Sequence, residues 1–349
     1  MSSNGDSNKT ERIKREKMMI NSRIKSHMQN NFSIQEIEFL SSKSFYISGG
    51  TGFVGRWIIS VLLNLLSEEN FPEITILTRN PQKAQNLFTN ENSIRMISWQ
   101  ELDSIPTHNF SNRKVFGIHA GVPASSGEII SNKDVRLFGN NMLQFISKIT
   151  KISDNPTFVN LSTGGVYVRP LKGFISEEET RKQNLVLTNY EKVKIADEVT
   201  LESFVGKKII QGANPRLFSF CGPGMAIPGN FALSSFIDSA QTGQPIKLTG
   251  NPESLRSYMS PIDMAIWIIK CAIYPTLETL HIGSSEAFTM QQIAEIIATR
   301  FGTSVEIEEY ATDKPIQNYV PMTNITSNHL NVTQTLDFHS AIEYWLESS

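Results

Sequence analysis

The sequence predicts an α/β protein: a doubly wound parallel sheet, a smaller C-terminal α/β part and a helical N-terminal extension. Three observations carry this. A short apolar run, Phe45-Tyr46-Ile47-Ser48, meets Gly49-Gly50-Thr51-Gly52-Phe53-Val54-Gly55, and an apolar helical run follows from Trp57 to Leu66. From Phe45 to about residue 170, strand and helix signals alternate as a parallel sheet requires. Beyond Gly222 the Pro and Gly content rises and three separate helical patterns follow.

The glycine turn is the most specific local signal. Gly49 permits backbone angles closed to other residues. Gly52 lets the main chain approach a pyrophosphate, and Gly55 lets the helix pack on the strand. The helix start then offers free N–H groups and a partial positive charge to phosphates. A Rossmann-type dinucleotide site is expected, with Gly49, Thr51, Gly52, Phe53, Val54 and Gly55 around the phosphates.

The other strands are Ile74–Leu77, Ile94–Ile97, Val115–Ile118 and Thr157–Leu161, with Lys208–Gln211 and Arg216–Phe220 near the next one. Val135–Ile149 and Tyr190–Phe204 read as long helices, each with apolar residues on more than one face. Helices at 231–241, 262–273 and 289–300 belong to the smaller part. The domain division is therefore 1–42 for the extension, 43–222 for the dinucleotide-binding part, and 223–349 for a mostly substrate-binding part that crosses back to the first. In the extension, Ser33 and Glu36 form a capping box ahead of an Ile34, Ile37, Leu40 stripe. Residues 1–25 hold seven Lys/Arg against three acids, which reads as a partner contact or as a solvated helix on the same chain.

At 349 residues, 40% hydrophobic and 19% charged, the composition is that of a soluble globular protein. A net charge of −2 gives no pull toward nucleic acid or membrane. Two cysteines, Cys221 and Cys271, make no disulfide framework and suggest a reducing, cytoplasmic compartment. No apolar run reaches the ~20 residues that span a bilayer. The six histidines are scattered, so no metal site is expected.

Tyr190 and Lys194, four apart, share one helix face. The ammonium lowers the phenol pKa and can hold a ribose hydroxyl, while the phenol exchanges a proton with a substrate oxygen. Upstream, Ser162-Thr163-Gly164-Gly165-Val166-Tyr167 places a hydroxyl just past a strand end, within reach of the reacting oxygen.

Taken together these segments resemble the extended short-chain dehydrogenase/reductases, in the branch that modifies nucleotide-diphosphate sugars. The likeness runs from about Ser44 to the C-terminus. It includes the 49–55 loop, His119-Ala120-Gly121, the 162–167 segment, Arg216-Leu217-Phe218-Ser219-Phe220-Cys221-Gly222-Pro223-Gly224, Arg256-Ser257-Tyr258 with Asp263, and His281-Ile282-Gly283-Ser284. The resemblance implies Thr163, Tyr190 and Lys194 as the catalytic triad. It implies Thr78, Arg79 and Ala120 beside the cofactor. Toward the sugar nucleotide it implies Thr163, Asn230, Phe231 and Arg256, the last with a surface ion pair as its alternative. Members of the branch commonly pair their two long helices, so a homodimer is implied.

After the second strand an acid favours NAD. Here Thr78-Arg79-Asn80 stands instead, and the Arg79 fork suits a 2′-phosphate, with Arg56 able to assist. NADP(H) is favoured; in the alternative Arg79 stacks on adenine or faces solvent and NAD(H) is bound. By the same resemblance, 4,6-dehydratases carry Asp-Glu after the catalytic Ser/Thr, and sugar-acid decarboxylases keep the Glu. This chain has Gly164-Gly165, which supply neither acid nor base. The expected activity is a 4-keto sugar reductase without dehydratase activity, of the kind that serves deoxysugar and cell-surface polysaccharide synthesis. A 4-epimerase with tightly bound NAD is the alternative, and a catalytically silent nucleotide sensor the second. Cys221 reads as a packing residue, Asp263 as a helix cap, and Glu177–Glu179 as a solvated face.

Overall fold

The computed structural model describes residues 25, 28–66, 71–88, 93–106, 114–123, 130–167, 173–181, 187–227, 229 and 231–347. The basic segment 1–24 and Asn230 lie outside the described residues.

Chain order gives α1 (Ile34–Ser41), β1 (Ser44–Ser48), α2 (Phe53–Leu65), β2 (Ile74–Leu77), β3 (Ile94–Ile97), β4 (Val115–His119), α3 (Asn132–Ile152), β5 (Thr157–Asn160), β6 (Ser162–Thr163), α4 (Asn189–Gly206), β7 (Gln211–Ala213) and β8 (Arg216–Leu217). Then come α5 (Ala232–Gln241), β9 (Ile246–Leu248), β10 (Leu255–Arg256), α6 (Pro261–Ile273), β11 (His281–Ile282), β12 (Phe288–Thr289), α7 (Met290–Phe301), β13 (Val305–Ile307), α8 (Asn324–Leu330) and α9 (Phe338–Glu347). Six strands form one parallel sheet in the order β3-β2-β1-β4-β5-β7. The order reverses between β1 and β4, the switch point where such sheets bind ligands beyond their strand ends.

Both faces of this sheet are covered. On one, Ile58, Ile59 and Leu62 of α2 pack with Ile262, Ile266 and Ile269 of α6 over Phe45, Ile47, Phe116 and Ile118. On the other, Met142, Phe145 and Ile149 of α3 and Leu201 of α4 meet Tyr46, Val115 and Phe158. Burial on both faces is why β1, β2 and β4 read as unbroken apolar runs. A second core joins Leu233, Phe236 and Ile237 of α5, Ile293 and Ile297 of α7, and Phe338 and Trp345 of α9.

The capping box of α1 forms, with Glu36 Oε2 accepting from the Ser33 amide at 2.7 Å. The apolar stripe is shorter than the sequence suggests, because Ile34 is 72% exposed. In its place the α1 face buries Glu36, whose Oε1 accepts from Lys270 Nζ and, at 2.9 Å, from the Tyr274 phenol. This ion pair straps the extension to the last turn of α6. Among the described residues, no helix is long and apolar enough to cross a membrane.

Candidate active site

The glycine turn is built as a cradle. Gly49 sits at φ +70°, and a Cβ there would meet the Ala120 carbonyl oxygen at 2.3 Å. A Cβ on Gly55 would meet the Gly49 oxygen at 2.4 Å. Gly52 is the N-cap of α2, and no side chain caps it. The first amides of that helix, from Phe53, Val54 and Gly55, are thus left to an anionic group, which fits a dinucleotide pyrophosphate. Thr51 belongs to the same turn, and Ala120 closes it from β4, its amide donating to the Ser48 carbonyl at 3.0 Å. Arg79 lies exposed just past the end of β2, beside Thr78. The Arg56 guanidinium instead reaches the Gly224 carbonyl at 3.1 Å, so it is engaged with the loop after β8.

Thr163, Tyr190 and Lys194 come together. α4 begins at Thr188, whose side chain forms a capping box with Glu191, and this fixes Tyr190 in the first turn. The Thr163 hydroxyl lies near enough to the Tyr190 phenol to act on its pKa, and it accepts from the Gly165 amide at 3.1 Å. Lys194 is buried, its Nζ donating to the Leu161 carbonyl at 2.6 Å and lying 5.7 Å from the Tyr190 ring centre. Burial pushes the Tyr190 phenol well above its usual pKa, Tyr319 adds to this, and the Thr163 hydroxyl opposes it. Against the expectation that Lys194 brings the phenol down, the shift is upward and burial is its largest cause. Burial also lowers the lysine, against the pull of Asp197 and Glu198 upward.

Gly164 is enclosed. A Cβ there would meet Phe218 Cε1 and Cζ at 2.7 Å and the Tyr319 oxygen at 2.8 Å. The Phe218 and Tyr319 rings lie 4.9 Å apart, so two aromatics hold the volume that a side chain at 164 would need. Tyr319 reaches this place through a β-bridge to Arg256. Nothing in the local sequence around 319 signals it, because the contact is made across the chain. Arg256 itself donates through Nη1 to the Leu255 carbonyl at 2.9 Å and to the Gln317 carbonyl. Phe231 is the N-cap of α5 and exposed.

Three further expectations are settled by contacts. Cys221 is fully buried, and burial pushes its thiol up, which fits packing. Ser260, not Asp263, caps α6; Asp263 sits in the first turn and accepts from the Thr335 amide at 3.0 Å and the Leu336 amide at 3.2 Å. The three glutamates are not one solvated face. Glu177 is buried and accepts from the Ile325 and Thr326 amides, both at 2.7 Å, serving the first turn of α8, while Glu178 and Glu179 are exposed. A partner some 150 residues away overrides the local pattern.

Around the triad lies a buried polar network. Glu198 accepts from Arg216 Nε and Nη2, both at 3.0 Å, from Arg181 Nη1 at 3.0 Å, and from Ser162. Arg216 also donates to the Tyr167 phenol, which pairs with His281 Nε2 at 2.8 Å. These contacts lock β6, β8, β11 and α4 together beside Thr163 and Lys194.

Residues 45–273 match the model of the NAD dependent epimerase/dehydratase family. The chain belongs to that family, the match spanning the parallel sheet, the glycine cradle and the helix that carries Tyr190 and Lys194. It is 23% identical over 276 residues to UDP-glucuronic acid decarboxylase 4 of Arabidopsis thaliana, covering 75% of this chain but 58% of that protein's length. Two solved structures share the fold. UDP-glucose 4-epimerase from Thermotoga maritima, solved with UDP-glucose, is 18% identical with a TM-score of 0.71, covering 87% of this chain and 98% of that one. The enzyme WbmF from Bordetella bronchiseptica, solved with NAD+, is 15% identical with a TM-score of 0.70, covering 89% and 93%.

Proposed function

We propose that this chain is a nucleotide-sugar oxidoreductase that reduces a 4-keto sugar, without dehydratase activity. The observation that carries this reading is Gly164. The hydride triad is complete, whereas the position that would hold a dehydratase acid has no side chain and no room for one, because Phe218 and Tyr319 fill the space.

Gly49, Thr51, Gly52, Phe53, Val54, Gly55, Thr78, Arg79 and Ala120 would hold a nicotinamide dinucleotide, which would supply the hydride. The Tyr190 phenol gives its proton to the carbonyl oxygen, so the ketone gains hydride and proton and leaves as a carbinol. The raised phenol pKa suits this direction, since it keeps Tyr190 protonated and ready to donate. The Thr163 hydroxyl orients the same oxygen. The Lys194 ammonium stabilises the phenolate left behind. Arg79, at the end of β2, is read as the 2′-phosphate contact of NADP(H). Residues 223–349, with Asn230, Phe231 and Arg256, are read as the sugar-nucleotide side of the site.

The family match favours one second reading, a 4-epimerase that oxidises and re-reduces carbon 4 on tightly held NAD with the same three side chains. Mass analysis of nucleotide sugars incubated with the protein separates the readings. The proposal expects a 4-keto-6-deoxy nucleotide sugar to gain two mass units with NADPH consumed. An epimer of unchanged mass, formed without net cofactor turnover, supports the second reading. Loss of one water from a nucleotide hexose contradicts both.

A further inference from the structure

Beneath Lys194 lies a buried carboxylate that the hydride scheme does not use. Asp197 follows Lys194 by three positions on α4, which places the two side chains on one helix face. Asp197 is 0% exposed, and neither of its carboxylate oxygens has a hydrogen-bond partner. His119 Nε2, at the end of β4, is likewise unpartnered and faces Asp197 Oδ2 at 3.8 Å. A buried carboxylate without a donor is costly in its charged form unless a nearby opposite charge offsets the burial.

The other charged groups around Lys194 are committed elsewhere. Glu198, the next residue on α4, is matched by Arg216 and Arg181 and by the Ser162 hydroxyl. Arg216 turns its remaining donor to the Tyr167 phenol. His119 holds Ser48 Oγ at 2.7 Å through Nδ1. Burial takes its pKa down to about 3, so it is a neutral ring at physiological pH. Tyr190 lies one turn before Lys194 and carries no charge in its resting form. Among the described residues, Asp197 is the buried anion on the Lys194 face of α4 that no cation pairs within 4.0 Å, its neighbour His119 being a neutral ring.

We propose that Asp197 is the dedicated counter-ion of Lys194, a positioning residue that keeps the lysine an ammonium inside a site dry enough to deprotonate it. Burial takes the Lys194 ammonium down to about 8 and the Asp197 carboxyl up to about 7, and each of the two charges opposes the shift that burial imposes on the other. What the ammonium is for rests on the hydride reading; that Asp197 holds the charge does not.

The test needs no substrate. NMR of the full chain carrying ¹³C-labelled lysine follows Lys194 Cε with pH, the signal being assigned by its loss in Lys194→Arg. In Asp197→Asn the midpoint is expected to fall by about one unit or more, the size of a close opposite charge. An unchanged midpoint overturns the proposal. Should Asp197→Asn not fold, a ¹³Cγ-aspartate titration of the wild-type chain decides: a carboxylate ionised at pH 8 supports the counter-ion, and one still protonated there refutes it. A turnover profile whose alkaline limb moves to lower pH in Asp197→Asn adds support that a purely structural role would not give. A shifted NMR midpoint with an unmoved turnover profile upholds the counter-ion and counts against the hydride role of Lys194.

Discussion

Replacing Gly164 by alanine tests how the reacting centre is packed. Carbon atoms in ordinary contact lie about 3.5–4.0 Å apart. A Cβ at 164 would start 2.7 Å from Phe218 Cε1 and Cζ, so that ring must retreat by nearly an ångström. It has nowhere to go: Phe218 is buried, with His281 and Tyr319 each 4.9 Å from its ring centre. Overpacking of this kind costs about 1–3 kcal/mol, and enclosure on two sides puts Gly164→Ala near the top of that range. Gly165→Ala is the control. Its nearest neighbour is Thr163 Oγ1 at 3.3 Å, which a few tenths of an ångström relieves, and a change within about 0.5 kcal/mol is expected. Neither glycine has a positive φ, so backbone strain does not enter. Equilibrium denaturation of the two variants reads the difference directly. Equal midpoints for Gly164→Ala, Gly165→Ala and wild type would refute the claim that the aromatics occupy the acid's place.

Other outcomes follow from the same contacts. Arg79→Ala is expected to weaken NADPH binding by about 1.5–3 kcal/mol, the worth of a charge-assisted hydrogen bond, and to leave NADH nearly untouched; equal losses in a fluorescence titration would remove Arg79 from the 2′-phosphate. Lys270→Ala strands the buried Glu36 carboxylate and should cost about 3 kcal/mol in a chemical melt. This is the low end for a broken buried pair, since the Ser33 amide and Tyr274 phenol still serve Glu36. Leu137 and Leu143 on α3 and Val199 on α4 are exposed, 51%, 47% and 51% respectively, and we propose that a second copy covers them. Light scattering at micromolar concentration should then give a dimer mass that Leu143→Glu halves; a wild-type monomer would contradict the assembly.

Much of the fold was legible because burial on both sheet faces leaves a direct trace. Ile74–Leu77 reads from the sequence with the bounds the structure gives, since it is a short, fully buried run; Ile94–Ile97 keeps its bounds too, although only Ile97 of this edge strand is buried. The glycine turn was legible for a steric reason: its spacing is set by contacts within a dozen residues and with Ala120. Helix ends drifted by a few residues, as with α3, which starts at its Ser131 capping box rather than at Val135. What failed to read was buried charge. Glu36, Glu177 and Asp197 each look like solvent-facing acids and each is buried, the first two by groups far along the chain. Tyr319 was invisible for the same reason. The nearness of Tyr190 and Lys194 was legible, because a four-residue helical spacing is a local fact, but the Tyr190 pKa was not, because desolvation is a property of the whole fold.

The central claim is that Tyr190 passes the proton in hydride chemistry at a sugar ketone. The most direct measurement is the rate of NADPH oxidation with a 4-keto-6-deoxy nucleotide sugar, wild type against Tyr190→Phe, with folding checked by circular dichroism. Removing the phenol hydroxyl should cost about 10²–10⁴ in turnover, the usual size of a general-acid contribution, with little change in fold. Turnover that survives Tyr190→Phe intact would contradict the account.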